Sequence, residues 1–342
     1  MLTKTSRLTL ATCALALVAT FPISGFAQDN KFYRVEVGGA GTTSHIFITV
    51  MTGIWAKELG AKFQVNDGQT ITRSVLKLAR GEIDLIGVPP PAYGFMKKGA
   101  RMYKRVKDAK EVAPNIRSLM GFNNAATHYI VWADSGIKTF ADLKGKRIYT
   151  GPPSGAAAVQ AEDAIRIVAG LEPKKDYDVV RLPWGGGLQA MQDGKLDLYV
   201  RPLGVGGALI DSIGAKREFR LLDLKGKTDS DAFKKFIKAP GRTIASIPAN
   251  TYKGQVNQTA VTTNGINWMY VVNKSMSDDE VYNFTKTMWN NVEKLRKTAV
   301  VLKSINIKTP FVGVIAPLHP GAVKYYKEVG VEIPKRLLPP TT

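Results

Sequence analysis

Short apolar runs alternate with longer amphipathic stretches in the first third of the chain. Tyr33 to Val37 and Ile83 to Val88 are strand-like runs, and a helical pattern extends from Ile46 to Leu59. A second helical pattern begins after Gln69-Thr70 and ends at Gly81, a residue favoured just past the end of a helix. Strands that alternate with helices in this way predict a mostly parallel sheet with helices on both faces.

The same alternation returns in the middle of the chain. Strand-like runs cover Arg147 to Tyr149, Tyr177 to Leu182 and Leu196 to Val200, and a helical pattern covers Ala156 to Ala169. Pro183 to Gly187 follows a strand end and is predicted to be a loop. The pattern therefore predicts a second α/β region.

A short sequence similarity links the two regions. The segment from Asp193 to Leu198 repeats the order of residue types from Arg80 to Leu85, with a glycine after a helix and an aspartate just inside the next strand. We interpret this as an internal resemblance between two halves of the fold.

Extended segments predict where the chain passes from one region to the other. Thr127 to Trp132 is the expected first crossing, and the C-terminal part continues with a single predicted helix from Asp278 to Ala299. The apolar residues of that helix recur at helical spacing, which is typical of a core-facing stripe. The expected organisation is a signal peptide at 1–27, lobe 1 at 28–127 and 263–342, and lobe 2 at 128–262, with hinge crossings near 127–132 and 245–272.

The N-terminus has the pattern of a secretory signal peptide. Lys4 and Arg7 precede an apolar run from Leu8 to Phe21, and small residues end at Ala27. The apolar run is shorter than the roughly 20 residues that span a membrane. We therefore expect export to the periplasm and cleavage, with an uncleaved N-terminal anchor as the alternative.

The chain is strongly basic, with 48 Lys and Arg residues against 28 Asp and Glu residues and a formal charge of +20. A positive balance favours nucleic acid, an anionic surface or an anionic ligand, and export argues against nucleic acid. The densest basic run, Lys97 to Lys110, is interpreted as a solvated face, with a docking surface as the alternative. Cys13 is the only cysteine and lies in the signal peptide, so the mature chain is expected to have no disulfide.

Two glycine-containing turns connect a strand to a helix. The first runs from Gly38 to His45 and the second from Gly151 to Gly155. In such a turn the first N–H groups of the helix have no intrahelical partner and lie at the positive end of the helix dipole. Both turns are therefore predicted anion sites. Gly39 and Gly41 also match part of a dinucleotide fingerprint, but the third glycine is missing and export argues against a nucleotide.

Residues that follow strand ends are the candidate ligand-binding groups, because the carboxyl ends of parallel strands share one edge of a sheet. Arg201 is the preferred carboxylate clamp, since a guanidinium offers two parallel donors; a salt bridge or a solvated loop is the alternative. Arg73 is a second clamp candidate, and Trp184 is either an apolar wall of the site or part of the core. The candidate set is Gly41, Thr42, Thr43, Ser44, His45, Gln69, Thr70, Arg73, Tyr93, Pro153, Ser154, Gly155, Ala156, Trp184 and Arg201.

The sequence contains no recognisable catalytic constellation. Ser154 lacks the Gly-x-Ser-x-Gly context of a nucleophile elbow, and Ser44 and His45 are adjacent with no third member of a triad. His45, His128 and His319 do not have the spacing of metal ligands. We therefore expect a binding protein without a metal or cofactor. The alternatives are a secreted hydrolase and a cell-surface sensor that binds a protein partner.

Six stretches, in order along the chain, resemble the TRAP-associated extracytoplasmic immunogenic (TAXI) solute-binding proteins of tripartite ATP-independent periplasmic (TRAP) transporters. The stretches are residues 38–45, 80–85, 133–147, 151–155, 247–252 and 317–326. The resemblance implies a type II periplasmic binding-protein fold, with two α/β lobes that close on a small organic anion. It also implies delivery of that anion to the membrane subunits of a TRAP transporter, and we expect a monomer. An ABC-type periplasmic binding protein for an anionic solute is the alternative.

Departures from the family pattern fall in the expected cleft. Ser44-His45-Ile46-Phe47 stands where family members continue with glycine and tyrosine, and Gln69-Thr70-Ile71 replaces a Gly-Gly-Ser turn. Trp184 and Arg201 stand where less bulky or uncharged residues are expected. The sequence therefore predicts a cleft that binds an anion, and it leaves the identity of that anion open.

Overall fold

The structure, a computed structural model, describes residues 31–340. The predicted signal peptide and Cys13 lie outside the described residues. Strands are β1 (Phe32–Glu36), β2 (Lys62–Asn66), β3 (Leu85–Val88), β4 (Ile116–Trp132), β5 (Arg147–Tyr149), β6 (Asp178–Val180), β7 (Leu198–Leu203), β8 (Phe219–Leu221), β9 (Arg242–Ile247) and β10 (Val261–Asn273).

Helices cover both faces of these strands. They are α1 (Thr43–Leu59), α2 (Ile71–Ala79), α3 (Pro90–Lys98), α4 (Ala109–Val112), α5 (Ala156–Ala169), α6 (Trp184–Gln192), α7 (Ala208–Gly214), α8 (Asp231–Ile237), α9 (Asp278–Asn290), α10 (Val292–Thr298) and α11 (Pro320–Glu328). Short 3₁₀ turns lie at Arg101–Tyr103, Ala113–Asn115, Phe140–Leu143, Val300–Leu302 and Lys335–Leu337. The predicted helix over Ala156 to Ala169 is confirmed as α5.

One continuous sheet runs through both lobes. Its main strand order is β2-β1-β3-β10-β4-β7-β5-β6, with β8 beside β4 and β9 beside β10. β1 pairs in parallel with β2 and β3 in lobe 1, and β5 pairs in parallel with β6 and β7 in lobe 2. The long strands β4 and β10 pair with each other in the antiparallel sense and carry the chain between the lobes. The predicted two-lobed α/β class is therefore confirmed.

Each lobe has its own apolar core. The core of lobe 1 is formed by side chains before Phe122 and after Met269, together with Ala156, whereas two clusters between Ala126 and Val261 form the cores on the faces of lobe 2. The exact residues at which the chain divides into lobes and hinges stay a prediction. Within residues 31–340, no helix combines the length and the apolar character needed to cross a membrane.

The C-terminal helix predicted over Asp278 to Ala299 is wrong as a single element. The structure divides it into α9 and α10 at Asn291, whose backbone has φ −105° and ψ 12°. The Asn291 side chain donates a hydrogen bond of 2.9 Å to the carbonyl of Thr287. Asparagine side chains compete with the helical backbone for such bonds, which explains the break.

The loop predicted at Pro183 to Gly187 is also wrong from Trp184 onward, because Trp184 begins α6. Glycine normally disfavours a helix. Here a Cβ atom at Gly187 would lie 2.4 Å from the ring of Tyr149, so the glycine lets the helix pack closely on that ring. Tertiary packing therefore outweighs the low helix propensity of the glycines.

Candidate functional site

A cavity of about 730 Å³, including solvent at its mouth, lies between the lobes. Its lining comes from lobe 1, from lobe 2 and from the two crossing strands. The lining residues are Gly38, Gly39, Thr42, Thr43, Thr70, Ile71, Thr72 and Pro89 in lobe 1; Pro152, Gly155, Ala156, Ala157, Gln160, Trp184, Arg201, Pro202 and Leu203 in lobe 2; and Ala125, Ile266 and Trp268 in β4 and β10.

Helix N-termini surround this cavity, because the turns after the strands open directly into helices. The first turns of α1, α2, α5 and α6 all contribute lining residues or their N-terminal neighbours. Within the described chain, α2, α5 and α6 have no side-chain cap. Their first N–H groups are donors at the positive ends of helix dipoles, so the cavity favours a negatively charged group.

Arg201 supplies the only charged side chain among the lining residues. It is 2% exposed, and its guanidinium carbon lies 4.0 Å from the centre of the Trp184 ring, a cation–π arrangement. A Cβ atom on Gly39 would lie only 3.2 Å from Nη2 of Arg201, so the glycine lets the first turn approach the guanidinium.

No carboxylate within residues 31–340 forms an ion pair with Arg201, and its Nε has no hydrogen-bond acceptor there. A buried charge is costly unless it is paired. The arrangement therefore calls for an anion that the cavity itself admits.

The strand that carries Arg201 is held by a buried histidine. Nδ1 of His128 lies 3.0 Å from the carbonyl oxygen of Ala126 and 3.2 Å from that of Arg201, and Nε2 lies 2.7 Å from the hydroxyl of Tyr252. The same hydroxyl accepts a bond of 2.9 Å from the Gly206 amide, so it donates to Nε2 and Nδ1–H donates to the carbonyls. Burial lowers the pKa of His128 to about 4, which keeps the ring neutral.

Polar side chains of the lining divide into capped and unpaired groups. The hydroxyl of Thr42 accepts the amide of His45 at 3.2 Å and so caps α1. In contrast, Oγ1 of Thr43 and both carboxamide atoms of Gln160 have no hydrogen-bond partner within the described residues, although both residues are at least 98% buried. These groups are available to a bound molecule.

Two contacts across the cavity hold the lobes together. Oγ1 of Thr72 on α2 donates a hydrogen bond of 2.9 Å to the carbonyl of Ser154, and Arg101 lies 3.9 Å from Asp163 on α5. Ser154 has φ 59° and Arg101 has φ 55°, in the left-handed region that is unfavourable for residues with a side chain. Strained backbone thus occurs at both points where the lobes meet.

Seven of the sequence-predicted residues line the cavity. They are Thr42, Thr43, Thr70, Gly155, Ala156, Trp184 and Arg201. Arg201 lies inside β7 rather than at the strand tip, two residues before the strand ends. The structure therefore brings together the glycine turn, the second anion turn and the proposed clamp.

The other eight predicted residues do not line the cavity: Gly41, Ser44, His45, Gln69, Arg73, Tyr93, Pro153 and Ser154. Gln69 donates to its own turn at the carbonyl of Asp67, 2.8 Å away, and Arg73 is exposed. Tyr93 is 2% exposed and belongs to the lobe 1 core. Their roles in binding stay predictions.

Several lining residues were missed by the sequence reasoning, above all Gln160, Thr72 and Trp268. Gln160 follows Ala156 by four residues, so the two share one face of α5. A polar residue on the buried face of an alanine-rich helix was the signal that pointed to it. Trp268 and Ile266 alternate on β10 and face the cavity because of the strand period, and only the position of β10 at the centre of the sheet reveals this.

Solved structures of similar shape support the fold assignment. A protein of Bordetella bronchiseptica RB50 is 12% identical with a TM-score of 0.50, and the match covers 90% of this chain and 86% of that chain. A TRAP periplasmic solute-binding protein from Ralstonia eutropha H16 with bound (S)-2-acetolactate is 11% identical with a TM-score of 0.48, covering 89% and 86%. The periplasmic aliphatic sulphonate binding protein of Escherichia coli is 14% identical with a TM-score of 0.44, covering 90% of both chains.

Comparison with protein-family models gives a more direct assignment. The model of the NMT1-like family matches residues 92–330, more than half of the chain. The match includes α5, β7 and β10, which carry Gln160, Arg201 and Trp268. The chain belongs to the NMT1-like family.

Proposed function

We propose that this chain is the periplasmic solute-binding protein of a TRAP transporter of the TAXI type. It captures a small organic anion, a carboxylate, between its two lobes and presents the closed complex to the membrane subunits. The predicted signal peptide, the expected monomeric state and the lobe boundaries belong to the same proposal. The cavity residues act as binding groups without catalysis.

The observation that carries this proposal is the buried guanidinium of Arg201. It is 2% exposed, faces the cavity, and has no carboxylate partner within residues 31–340. The uncapped first turns of α2, α5 and α6 add further positive ends of dipoles around the same space. A carboxylate matches the two parallel donors of a guanidinium, so it satisfies the charge and the hydrogen bonds together.

Contacts between the lobes explain how binding and closure are linked. The bond from Thr72 to the Ser154 carbonyl and the approach of Arg101 to Asp163 exist only when the lobes are together. A ligand that touches both lobes stabilises this closed form by the difference in its affinity for the open and closed forms. The closed shape is then the one that the membrane subunits recognise.

The first test is a calorimetric screen of the purified protein against monocarboxylates, dicarboxylates, oxo acids and aromatic acids, repeated with Arg201→Gln. We expect Arg201→Gln to weaken binding of the tightest acid by about 100-fold or more, because an interaction with a buried charge is lost. Arg201→Lys keeps the charge but not the paired donors, and we expect it to recover only part of the affinity.

Arg117→Gln is the matched control, since Arg117 is a partly buried arginine on β4 that donates to the carbonyls of Pro114 and Ile116 outside the cavity. It should leave affinity unchanged. Equal affinity in wild type and Arg201→Gln contradicts the proposed role of the arginine. Formation of a reaction product by the purified protein contradicts the assignment as a binding protein.

The transport partner needs a separate experiment. Uptake of the identified acid by cells that carry the TRAP membrane subunits should require this protein and should stop when the ion gradient is collapsed. Uptake that instead follows cellular ATP with an intact gradient requirement absent would favour an ABC transporter.

A further inference from the structure

The carboxamide of Gln160 is the polar group of the cavity that the anion site leaves unexplained. The side chain is 2% exposed and lines the cavity from α5. Neither Nε2 nor Oε1 has a hydrogen-bond partner within the described residues. Buried polar groups in folded proteins are nearly always paired, so a carboxamide with a free donor and a free acceptor points to a ligand.

The charge around Gln160 limits what that ligand carries. Among the lining residues drawn from residues 31–340, Arg201 is charged and none is an aspartate or a glutamate. The uncapped helix N-termini of α2, α5 and α6 add positive potential. An ammonium group in this cavity would lie close to like charge with no carboxylate to compensate it, which is strongly unfavourable in a buried site.

An uncharged polar group suits the same position. A carbonyl oxygen accepts from Nε2 of Gln160, and a hydroxyl group accepts from Nε2 and donates to Oε1. Oε1 alone is able to accept from an ammonium, but it supplies no charge to offset the guanidinium. The apolar lining, which includes Trp184, Trp268 and Ile71, suits a hydrocarbon or aromatic body for the rest of the molecule.

We propose that Gln160 determines the ligand class of this cavity: organic acids whose second polar group is an uncharged oxo or hydroxyl group, with the corresponding α-amino acids rejected. This inference rests on the proposed function, because it takes the carboxylate of the ligand to pair with Arg201. Gln160 then reads the second group, and the absence of a counter-charge excludes the amine.

The test uses ligands that differ only in the second group. One series is 4-methyl-2-oxopentanoate, 2-hydroxy-4-methylpentanoate, leucine and 4-methylpentanoate; the other is phenylpyruvate, phenyllactate, phenylalanine and 3-phenylpropanoate. In calorimetry with wild-type protein, we expect the oxo or hydroxy acid of at least one series to bind about tenfold or more tighter than both the amino acid and the unsubstituted acid.

Two variants assign this preference to Gln160. Gln160→Met keeps the length of the side chain without the carboxamide, and it should bring the oxo and hydroxy acids to within about threefold of the unsubstituted acid, whose own affinity changes little. Gln160→Glu supplies the missing counter-charge and should shift the preference toward the amino acid. Circular dichroism and the Tm of each variant check that it folds.

The outcomes separate this inference from the proposed function. Amino acids that bind wild type as tightly as their oxo analogues overturn the inference and leave the anion site intact. A uniform loss of affinity for all four members of a series in Gln160→Met also overturns it, since that pattern indicates a structural role. If no acid of either series binds, both proposals are overturned.

Discussion

Arg34 in lobe 1 and Arg147 in lobe 2 make the same set of contacts. The backbone amide and the guanidinium of Arg34 bind the carboxylate of Asp84, and Nη2 also donates to the carbonyl of Gly81 at 3.0 Å. Arg147 binds Asp197 in the same way, and its Nη2 donates to the carbonyl of Gly194 at 3.1 Å. We call each set an arginine clasp.

Both clasps join residues 50 positions apart, and each ties an early strand to the segment that precedes a parallel neighbour. They are the structural basis of the sequence similarity between the segments Arg80 to Leu85 and Asp193 to Leu198. The frames of the two lobes are therefore built alike at the edge where the strands begin.

The opposite edges of the lobes differ. Lobe 1 presents the glycine turn and hydroxyl groups such as those of Thr43 and Thr72, whereas lobe 2 presents the side chains of Arg201, Trp184 and Gln160. The charge and the large recognition groups thus lie on one side, and the other side contributes backbone and small side chains that close over them. A similar frame is compatible with very different cleft faces because the strand ends do not hold the frame together.

Acid should reveal the largest difference between the lobes. His128 beside Arg201 has a pKa lowered to about 4 by burial, with the hydrogen bonds to the Arg201 and Ala126 carbonyls opposing part of that effect. The folded state therefore resists protonation, and stability is lost as pH falls from about 6.5 toward 4. We expect this loss to reach about 2–3 kcal/mol at pH 4.5 in urea unfolding, and His128→Asn should remove it.

Glu280 in lobe 1 responds in a lower range. Burial alone would raise its pKa, but hydrogen bonds from Lys31, Tyr33 and Ser277 lower it to about 2. Its contribution is therefore present above about 4.5 and is lost only as pH falls toward 2. Tyr252→Phe is the control for His128, because it removes the hydroxyl but keeps the buried ring, and it should retain the acid sensitivity. The same pH dependence in wild type and His128→Asn would contradict the assignment.

Local patterns in the sequence were sufficient for most of the fold. The strand and helix alternation, the helix from Ala156 to Ala169 and the turn at Gly38 all depend on residues close in the chain. The glycine-rich start of α6 and the break at Asn291 were not predicted. The first depends on the Tyr149 ring, which comes from another element, and the second on one side-chain bond to the backbone.

The site was predictable only in part, for a related reason. Arg201 follows from its place near a strand end, and its chemistry follows from the residue type. Its stacking on Trp184 and its approach to Gly39 depend on how the two lobes meet. Gln160 and Trp268 were missed because membership of the lining is decided by which face of an element turns toward the opposite lobe.

Removing one hydrogen bond between the lobes should have a moderate effect on affinity. Thr72→Val keeps the shape of the side chain but loses the bond of 2.9 Å to the Ser154 carbonyl. A loss of about 1 kcal/mol corresponds to roughly fivefold weaker binding. We expect the change mainly in the dissociation rate, measured by stopped-flow or surface plasmon resonance, because the bond forms only in the closed state.

Thr285→Val is the matched control for this prediction. Thr285 is also a buried threonine in lobe 1 whose hydroxyl donates to a backbone carbonyl, that of Val281 at 2.7 Å, but it lies within α9. It should reduce stability without changing ligand dissociation. If both variants release ligand at the wild-type rate, closure does not depend on the Thr72 bond.

The smallest effect on affinity is expected from the arginine clasps, and it tests whether the lobes are equivalent. Asp84 and Asp197 directly precede β3 and β7, so the clasps lie at the edge where the strands begin, away from the cavity. Arg34→Met and Arg147→Met should therefore lower Tm by similar amounts and leave ligand affinity within about twofold of wild type, since both ion pairs are partly exposed. A selective loss of affinity in Arg147→Met would instead mean that the lobe 2 clasp holds β7, and with it Arg201, in the position that binding requires.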